Sequence, residues 1–74
     1  MHKKGTDKWL KTVGENIRTE RKAACLTQEK LAELADLSPR VIQKIEAGQI
    51  TILISTLRRI RKALGCPYER LLGD

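Results

Sequence analysis

The spacing of apolar residues in the middle of the chain predicts two short helices separated by a polar break. Thr27 and Ser38 stand where a capping hydroxyl would begin each helix, and Pro39 occupies the first helical position, where proline is well tolerated. Two helices of about eight residues, joined by three or four residues, favour a helix-turn-helix over an ordinary helical hairpin. The apolar positions are Leu31, Ala32, Leu34 and Ala35 in the first helix, and Val41, Ile42 and Ile45 in the second.

Similar spacing predicts a longer helix before this pair and two helices after it. The first runs from Trp9 to about Ala24, with one apolar side. The fourth runs from about Ser55 to Leu64 and stops at Gly65, and a short fifth begins at Pro67. The sequence therefore predicts an all-α fold of five helices. The side chains expected to face the core are Leu10, Val13, Ile17 and Ala24 in the first helix, Leu57, Ile60 and Leu64 in the fourth, and Tyr68 and Leu71 in the fifth.

Two segments do not fit the helical pattern. Residues 1–8 are polar and without periodicity, which predicts a frayed arm ahead of a domain at 9–74. The alternative is a basic arm that follows phosphates or enters a minor groove, with Lys3, Lys4 and Lys8 as the contacts. Residues 50–54 hold more apolar side chains than a small monomer needs to bury. Ile54 is expected in the core, and the others either fold back onto Trp9 and Leu10 or contact a second subunit.

The composition limits the possible functions. A chain of 74 residues is one domain, and its net charge of +6 with a pI near 9.8 favours a polyanionic partner. Only two aromatic residues, Trp9 and Tyr68, argue against a fold that stacks single-stranded bases. The thiols of Cys25 and Cys66 are expected to be reduced and buried. We expect no metal, no cofactor and no catalytic site, and we expect a cytoplasmic protein, because no apolar run or secretory signal points to a membrane.

The helix-turn-helix residues resemble a known family. Gln28 opens the first helix of the pair, Leu31-Ala32 lie inside it, and the second closes with Ile42, Ile45, Glu46 and Gly48. This pattern is similar to that of the lambdoid phage repressor and Cro family, and the resemblance extends from about Val13 to Leu72. It implies a compact five-helix, lambda-repressor-like DNA-binding domain, with a recognition helix at about Pro39-Ala47 in the major groove.

The resemblance also implies roles for individual residues. Arg21 and Glu46 would form a mostly buried salt bridge that joins the first helix to the recognition helix. Arg40 is the leading candidate for bidentate recognition of a guanine, with Lys44 one turn further on. The base-reading positions are Ser38, Pro39, Arg40, Gln43 and Lys44. The phosphate-contacting positions are Arg18, Thr27, Gln28 and Gln49, of which Thr27 and Gln28 lie at a helix N-terminus, where unpaired N–H groups favour an anion.

Three positions depart from the family pattern. Cys25 stands where the family usually has a glycine in a left-handed conformation, so the end of the first helix is expected to be built differently. Ile52 replaces a usual proline. Arg61 replaces a usual alanine on the inward side, so its guanidinium must reach outward or find a carboxylate.

The function that these features predict is sequence-specific binding of double-stranded DNA by a homodimeric transcriptional regulator with a pseudo-palindromic operator. In size the chain resembles phage Cro proteins and the controller proteins of restriction-modification systems. The alternative is an antitoxin-type protein that binds a toxin and regulates its own operon. The acids Glu29, Glu33 and Asp36 either contact RNA polymerase or balance the helix dipole. The candidate dimer interface consists of Ile50, Ile52, Leu53 and Leu72.

Overall fold

A computed structural model describes the backbone of residues 3–73 and the side chains of residues 8–73. This part of the chain is all-helical, as the sequence predicts. No helix in it is long and apolar enough to cross a membrane. The helices are α1 (Lys3–Ala23), α2 (Gln28–Ala35), α3 (Pro39–Glu46), α4 (Ile54–Leu64) and α5 (Tyr68–Leu72).

The core receives side chains from every helix. α1 packs against α3 and α5, and α2 packs against α3 and α4, so α1 and α2 together support α3. The apolar stripe of each amphipathic helix is thereby removed from water, which is the main force that stabilises so small a fold. The fully buried large side chains are Val13, Ile17, Leu31, Ile42, Ile45, Ile60 and Leu71.

The caps of α2 and α3 lie where the sequence predicts them. The Thr27 hydroxyl accepts a hydrogen bond from the backbone N–H of Lys30 at 3.0 Å, and the Ser38 hydroxyl accepts one from Val41 at 3.2 Å. Pro39 is the first residue of α3. Each cap satisfies an amide that the helix itself leaves unpaired and stabilises the fold by about 1 kcal/mol.

The first four helices each end at or just before a residue in the left-handed conformation, which for α4 is Gly65 with a φ of 69°. Cys25, Asp36 and Gly48 have φ values of 60°, 58° and 71°. After each of them the next backbone N–H bonds back to the carbonyl five residues earlier, as Leu26 does to Arg21 at 3.0 Å. The expectation that Cys25 would change the end of the first helix is wrong, because Cys25 adopts the conformation that the family gives to glycine. That conformation is strained for a residue with a Cβ.

α1 begins at Lys3, six residues before the start that the sequence predicts. Its backbone is helical where residues 3–8 of the expected arm lie, and Met1 and His2 fall outside the described residues. These first turns carry no apolar stripe, so periodicity does not reveal them. At 1.5 Å per residue α1 is ~31 Å long, close to the 34 Å longest extent of the molecule.

The segment between α3 and α4 differs from the prediction. Ile54 was expected in the core, but it begins α4 and is 85% exposed. It lies about 120° around the helix from buried Ile60, so the register that buries Ile60 turns Ile54 outward. Ile50 and Ile52 pack against the core instead and are only partly exposed.

Four other side chains lie elsewhere than expected. Ala24, expected to face the core, is exposed just after the last residue of α1. Tyr68 was placed in the core but is 40% exposed, and its ring stacks under the guanidinium of Arg61, whose Cζ lies 4.8 Å from the ring centroid. Arg61 was expected either to reach outward or to find a carboxylate; its guanidinium lies over this aromatic face. Its Nε is buried without a partner among the described residues.

Cys25 is exposed rather than buried, whereas Cys66 is buried as predicted. Burial, and then the nearby Glu20, raise the pKa of the Cys66 thiol, which keeps it protonated.

Candidate nucleic-acid interface

α3 presents one polar face to solvent and buries the other. Arg40, Gln43 and Ala47 are exposed and follow one another at intervals of three and four residues, so they form one stripe along the helix. Lys44 is half-buried beside this stripe, and Ser38 and Pro39 are exposed at its start. The opposite face places Ile42 and Ile45 in the core. The predicted base-reading residues therefore share one accessible surface.

The C-terminal end of α3 is fixed to α1 by the ion pair that the family resemblance implies. Nε of Arg21 donates to one oxygen of Glu46 at 2.7 Å, and another guanidinium nitrogen donates to the second oxygen at 3.2 Å. A third donates to the carbonyl of Leu26 at 2.8 Å. Both side chains are about nine-tenths buried. Such a bidentate, charge-assisted contact fixes direction as well as distance, so it orients α3 relative to α1.

Gln28 joins this ion pair. Its side-chain amide donates to Oε1 of Glu46 at 3.0 Å, so the Glu46 carboxylate accepts from both α1 and α2. Gln28 was predicted to contact a phosphate. The structure places it half-buried, with one amide hydrogen already engaged inside the protein. Gln28 thereby links the start of α2 to the end of α3.

A second contact between α1 and α3, at Gly14, was not predicted. Gly14 is buried in the middle of α1, and a Cβ there would lie 2.4 Å from the carbonyl oxygen of Ile45 and 2.7 Å from that of Glu46. No side chain fits at such distances without moving backbone. The signal in the sequence is a glycine inside an amphipathic helix, which lowers helix stability and so calls for a packing reason.

Beside this junction a shallow concavity of about 390 Å³ opens to solvent. Arg18 of α1, Gln28 of α2 and Gln43 of α3 line it, so residues predicted separately to contact phosphate and bases lie around one surface. Ala47 lines it too and was not predicted as a site residue. Its position four residues after Gln43, on the exposed stripe, is the signal that could have identified it.

The predicted phosphate contacts at helix ends differ in the groups that they offer. At the start of α2 the Thr27 cap satisfies Lys30, and within residues 3–73 the backbone N–H groups of Gln28 and Glu29 have no acceptor. At the end of α3 the N–H of Gln49 is already bonded to the carbonyl of Lys44 at 2.9 Å. Gln49 is exposed, so its side chain is the group left to meet a phosphate there.

The acids of α2 have local structural partners. Nζ of Lys30 lies 3.3 Å from Oε1 of Glu33, and Asp36 ends the helix in the left-handed conformation. Glu29 lies in the first turn, where a negative charge is favourable. Of the three acids, only Glu29 therefore lies at the end of α2 where a negative charge balances the helix dipole, because Asp36 lies at the opposite end.

The candidate dimer residues fall into two groups. Leu53 is 69% exposed, and adjacent Ile54, which was not included in the prediction, is more exposed still. Ile50, Ile52 and Leu72 are half-buried and pack against the core. The accessible apolar surface in this region is therefore centred on the residues that begin α4.

Comparison with known proteins agrees with this geometry. The family described as "Helix-turn-helix" matches residues 17–71. The chain is 38% identical over 63 residues to the immunity repressor protein of Bacillus phage phi105, covering 85% of this chain and 44% of the repressor. It is 40% identical over 62 residues to an uncharacterized transcriptional regulator in the ATPase CF(0) region of Rhodospirillum rubrum, covering 84% of this chain and 57% of the relative.

A third relative is the control protein C.SmaI of Serratia marcescens, 35% identical over 60 residues that cover 81% of this chain and 71% of the control protein. The chain thus spans about half the length of the first two relatives. The family match covers well over half of the sequence, including α2, α3 and the ion pair that joins α3 to α1. The chain therefore belongs to the helix-turn-helix family, whose members are non-enzymatic DNA-binding proteins.

Proposed function

We propose that the protein is a transcriptional regulator that binds double-stranded DNA as a homodimer and reads its operator with α3 in the major groove. The observation that carries this proposal is the exposed stripe of Arg40, Gln43 and Ala47 on a helix whose opposite face is buried. A helix held by its apolar face and its C-terminal ion pair can present donors to base edges at fixed positions.

Each exposed group has a chemically suited target in the groove. The guanidinium of Arg40 can donate two hydrogen bonds to one guanine, and the amide of Gln43 can donate to and accept from one adenine. Lys44, one turn after Arg40, can reach a further acceptor. Ser38 uses its oxygen to cap α3 and keeps its hydroxyl hydrogen, and Pro39 offers only apolar contact.

Phosphate contacts would set the register of α3 on the duplex. The free backbone N–H groups of Gln28 and Glu29, together with the positive end of the α2 dipole, suit one phosphate. The Arg18 guanidinium at the edge of the concavity and the Gln49 side chain suit others. These contacts position the protein without reading the sequence.

The names of the relatives favour regulation over the antitoxin alternative. One relative is called an immunity repressor, another a transcriptional regulator and a third a control protein. These names support assigning operator binding to this chain. The antitoxin alternative shares the DNA-binding surface and differs only in requiring a toxin partner.

A dimer follows from the small size of the reading surface. One recognition helix covers only a few base pairs, and two heads on a two-fold axis supply the remaining specificity. Leu53 and Ile54 form an accessible apolar pair at the start of α4. A self-complementary contact through this pair would produce a pseudo-palindromic operator.

Selection of bound sites from random duplex DNA tests the proposal. We expect a pseudo-palindromic consensus, and we expect Arg40→Ala to weaken binding by about 1–3 kcal/mol while relaxing the preference at one position of each half-site. Arg18→Ala is the matched control, because it removes the same charged group from a phosphate-facing position. It should weaken binding to all sequences alike. If Arg40→Ala also weakens all sequences uniformly, Arg40 is not a base-reading residue.

A further inference from the structure

Four basic side chains line the exposed side of α1. The proposed function gives a role to only one of them, Arg18. Lys8, Lys11, Arg18 and Lys22 follow at intervals of three, seven and four residues and are all exposed. These intervals place them on one side of the helix. From Lys8 to Lys22 the row is ~21 Å long. We call these four residues the α1 row.

The α1 row borders the recognition helix at two points. Arg18 lines the same concavity as Gln43 and Ala47. Further along, Lys11 lies against the turn that ends α3, because a Cβ on Gly48 would be 2.7 Å from Cγ of Lys11 and 2.8 Å from its Cα. The row therefore runs past the C-terminal end of α3 on the side where the base-reading stripe is exposed.

No ion pair among the residues whose side chains the structure describes includes a member of the α1 row. Within residues 8–73 the ion pairs join Arg21 to Glu46, Lys30 to Glu33 and Arg70 to Glu20. Even Glu15, four residues after Lys11 and three before Arg18, forms no ion pair with either of them. Within residues 8–73, the four cations of the row and Glu15 give this side of α1 a net charge of +3.

Length distinguishes the α1 row from the reading surface. α3 has 8 residues and is ~12 Å long, whereas α1 has 21 residues. The row continues from the recognition helix towards the N-terminal turns of α1, beyond the reach of the base-reading stripe. Duplex DNA carries one phosphate per ~1.7 Å of axis, so a row of this length faces several phosphates.

We infer that the α1 row is a second DNA surface, which contacts the phosphate backbone flanking the bases read by α3. It supplies affinity that does not depend on sequence and that falls steeply with salt. This inference rests on the proposed function, because it assigns the duplex held by α3 as the partner of the row.

Salt titrations of binding by the full chain test this inference. Binding to two probes, a mixed-sequence duplex and the selected operator, is measured by fluorescence anisotropy across a range of KCl concentrations. The slope of log Kobs against log salt is negative, and replacing one phosphate-contacting lysine makes it less negative by about 0.9. We expect this change for both Lys8→Gln and Lys11→Gln, on both duplexes, with base preferences unchanged. Glu15→Gln should tighten binding severalfold at low salt.

Lys62→Gln is the matched control. Lys62 lies on α4, beside Leu34 and Asp36 at the end of α2 that is opposite to Thr27. The substitution Lys62→Gln removes one positive charge at a position distant from the α1 row, so it should leave the slope unchanged. All four positions are exposed, and a thermal melt by circular dichroism verifies that each variant remains folded.

The outcomes separate this inference from the proposed function. If Lys8→Gln and Lys11→Gln give the same slope as Lys62→Gln while Arg40→Ala still relaxes one base position, the α1 row does not touch DNA and the base-reading proposal stands. If the unmodified protein binds neither duplex, both proposals are wrong. The inference is supported if Lys8→Gln and Lys11→Gln make the salt slope less negative and Lys62→Gln does not.

Discussion

The two ends of the segment that connects α3 to α4 are built in opposite ways. Where α3 ends, Glu46 is buried, accepts from Arg21 and Gln28, and lies against Gly14 of α1. Where α4 begins, the helix has no side-chain cap, and Leu53 and Ile54 are exposed to water. The two regions lie within ten residues of each other in the sequence.

The difference shows which surfaces the fold determines by itself. At Glu46 the groups satisfy one another within the monomer, so the orientation of α3 is set before any partner binds. At Leu53 and Ile54 the apolar side chains are exposed to water in the monomer. Their area contributes no hydrophobic stabilisation until another surface covers it. The contact of Glu46 with Arg21 and Gln28 is thus a buried joint between helices of one chain, whereas the apolar surface at Leu53 and Ile54 is accessible to a partner.

Breaking the ion pair should have the largest effect. Arg21→Met leaves the Glu46 carboxylate buried with Gln28 as its remaining side-chain donor, and removal of one partner of a buried pair is strongly destabilising. We expect the free energy of unfolding to fall by about 3 kcal/mol, measured by urea denaturation. Arg21→Met combined with Glu46→Met should recover most of this loss.

Lys30→Met is the control for that experiment. The pair of Lys30 and Glu33 is exposed, with side-chain exposures of 54% and 71%, and such pairs contribute well under about 1 kcal/mol. An equal loss in Lys30→Met and Arg21→Met would show that the buried joint contributes no more than a surface contact.

The apolar region should be tested through association. Leu53→Asp combined with Ile54→Asp places charges on the proposed dimer contact, and we expect the dimer dissociation constant to rise more than about 100-fold, or roughly 2.7 kcal/mol. Sedimentation at micromolar concentration measures it. Leu34→Asp, at a residue that is 52% exposed on α2, is the control and should leave the dimer intact. A monomeric unmodified protein, or an intact dimer of the double variant, contradicts the proposed contact.

Filling the contact between α1 and α3 should have an intermediate effect. Gly14→Ala gains about 1 kcal/mol of helix propensity. Its methyl group meets the carbonyls of Ile45 and Glu46, and overpacking of this kind costs about 3 kcal/mol. The expected net loss of stability is thus about 2 kcal/mol. At Gly65 a Cβ would meet nothing within 4 Å, so Gly65→Ala reports the strain of a left-handed residue alone. A stabilised Gly14→Ala would mean that α1 can move away from α3 freely.

The smallest expected effect is a gain. Cys25 holds a left-handed conformation that only glycine adopts without strain. Cys25→Gly should therefore raise the free energy of unfolding by about 1 kcal/mol. The thiol is exposed, so the substitution removes no core contact. Ala24→Gly, one position earlier, is the control and should not stabilise. Unchanged or lower stability of Cys25→Gly would show that the turn is not strained.

The parts of the fold that the sequence predicted well are those with local signals. Thr27, Ser38 and Pro39 mark helix starts through chemistry that acts within a few residues, and all three lie where expected. The joint of Arg21 and Glu46 was predicted only through the family resemblance, since no local pattern connects residues 25 positions apart. The grouping of Arg40 with Gln43 was also taken from the resemblance, although helical spacing by itself places both on one face of α3.

The errors occurred where packing between helices decides the outcome. Ile54 is apolar and begins a helix, but the register set by Ile60 turns it outward. Tyr68 was assigned to the core from its type, whereas Arg61 above its ring holds it near the surface. The close approach at Gly14 and the position of Lys11 against Gly48 depend on the distance between α1 and α3, which the sequence of neither helix contains.

The division of α3 into a buried face and an exposed face has a consequence for engineering. Ile42, Ile45 and Glu46 position the helix, and Arg40, Gln43 and Ala47 do not enter the core. If the proposed function holds, exchanging the exposed positions as a set should redirect the protein to new operators, provided that Gly14 and Glu46 are retained. The reason is that the residues that hold α3 in place are not those proposed to read DNA.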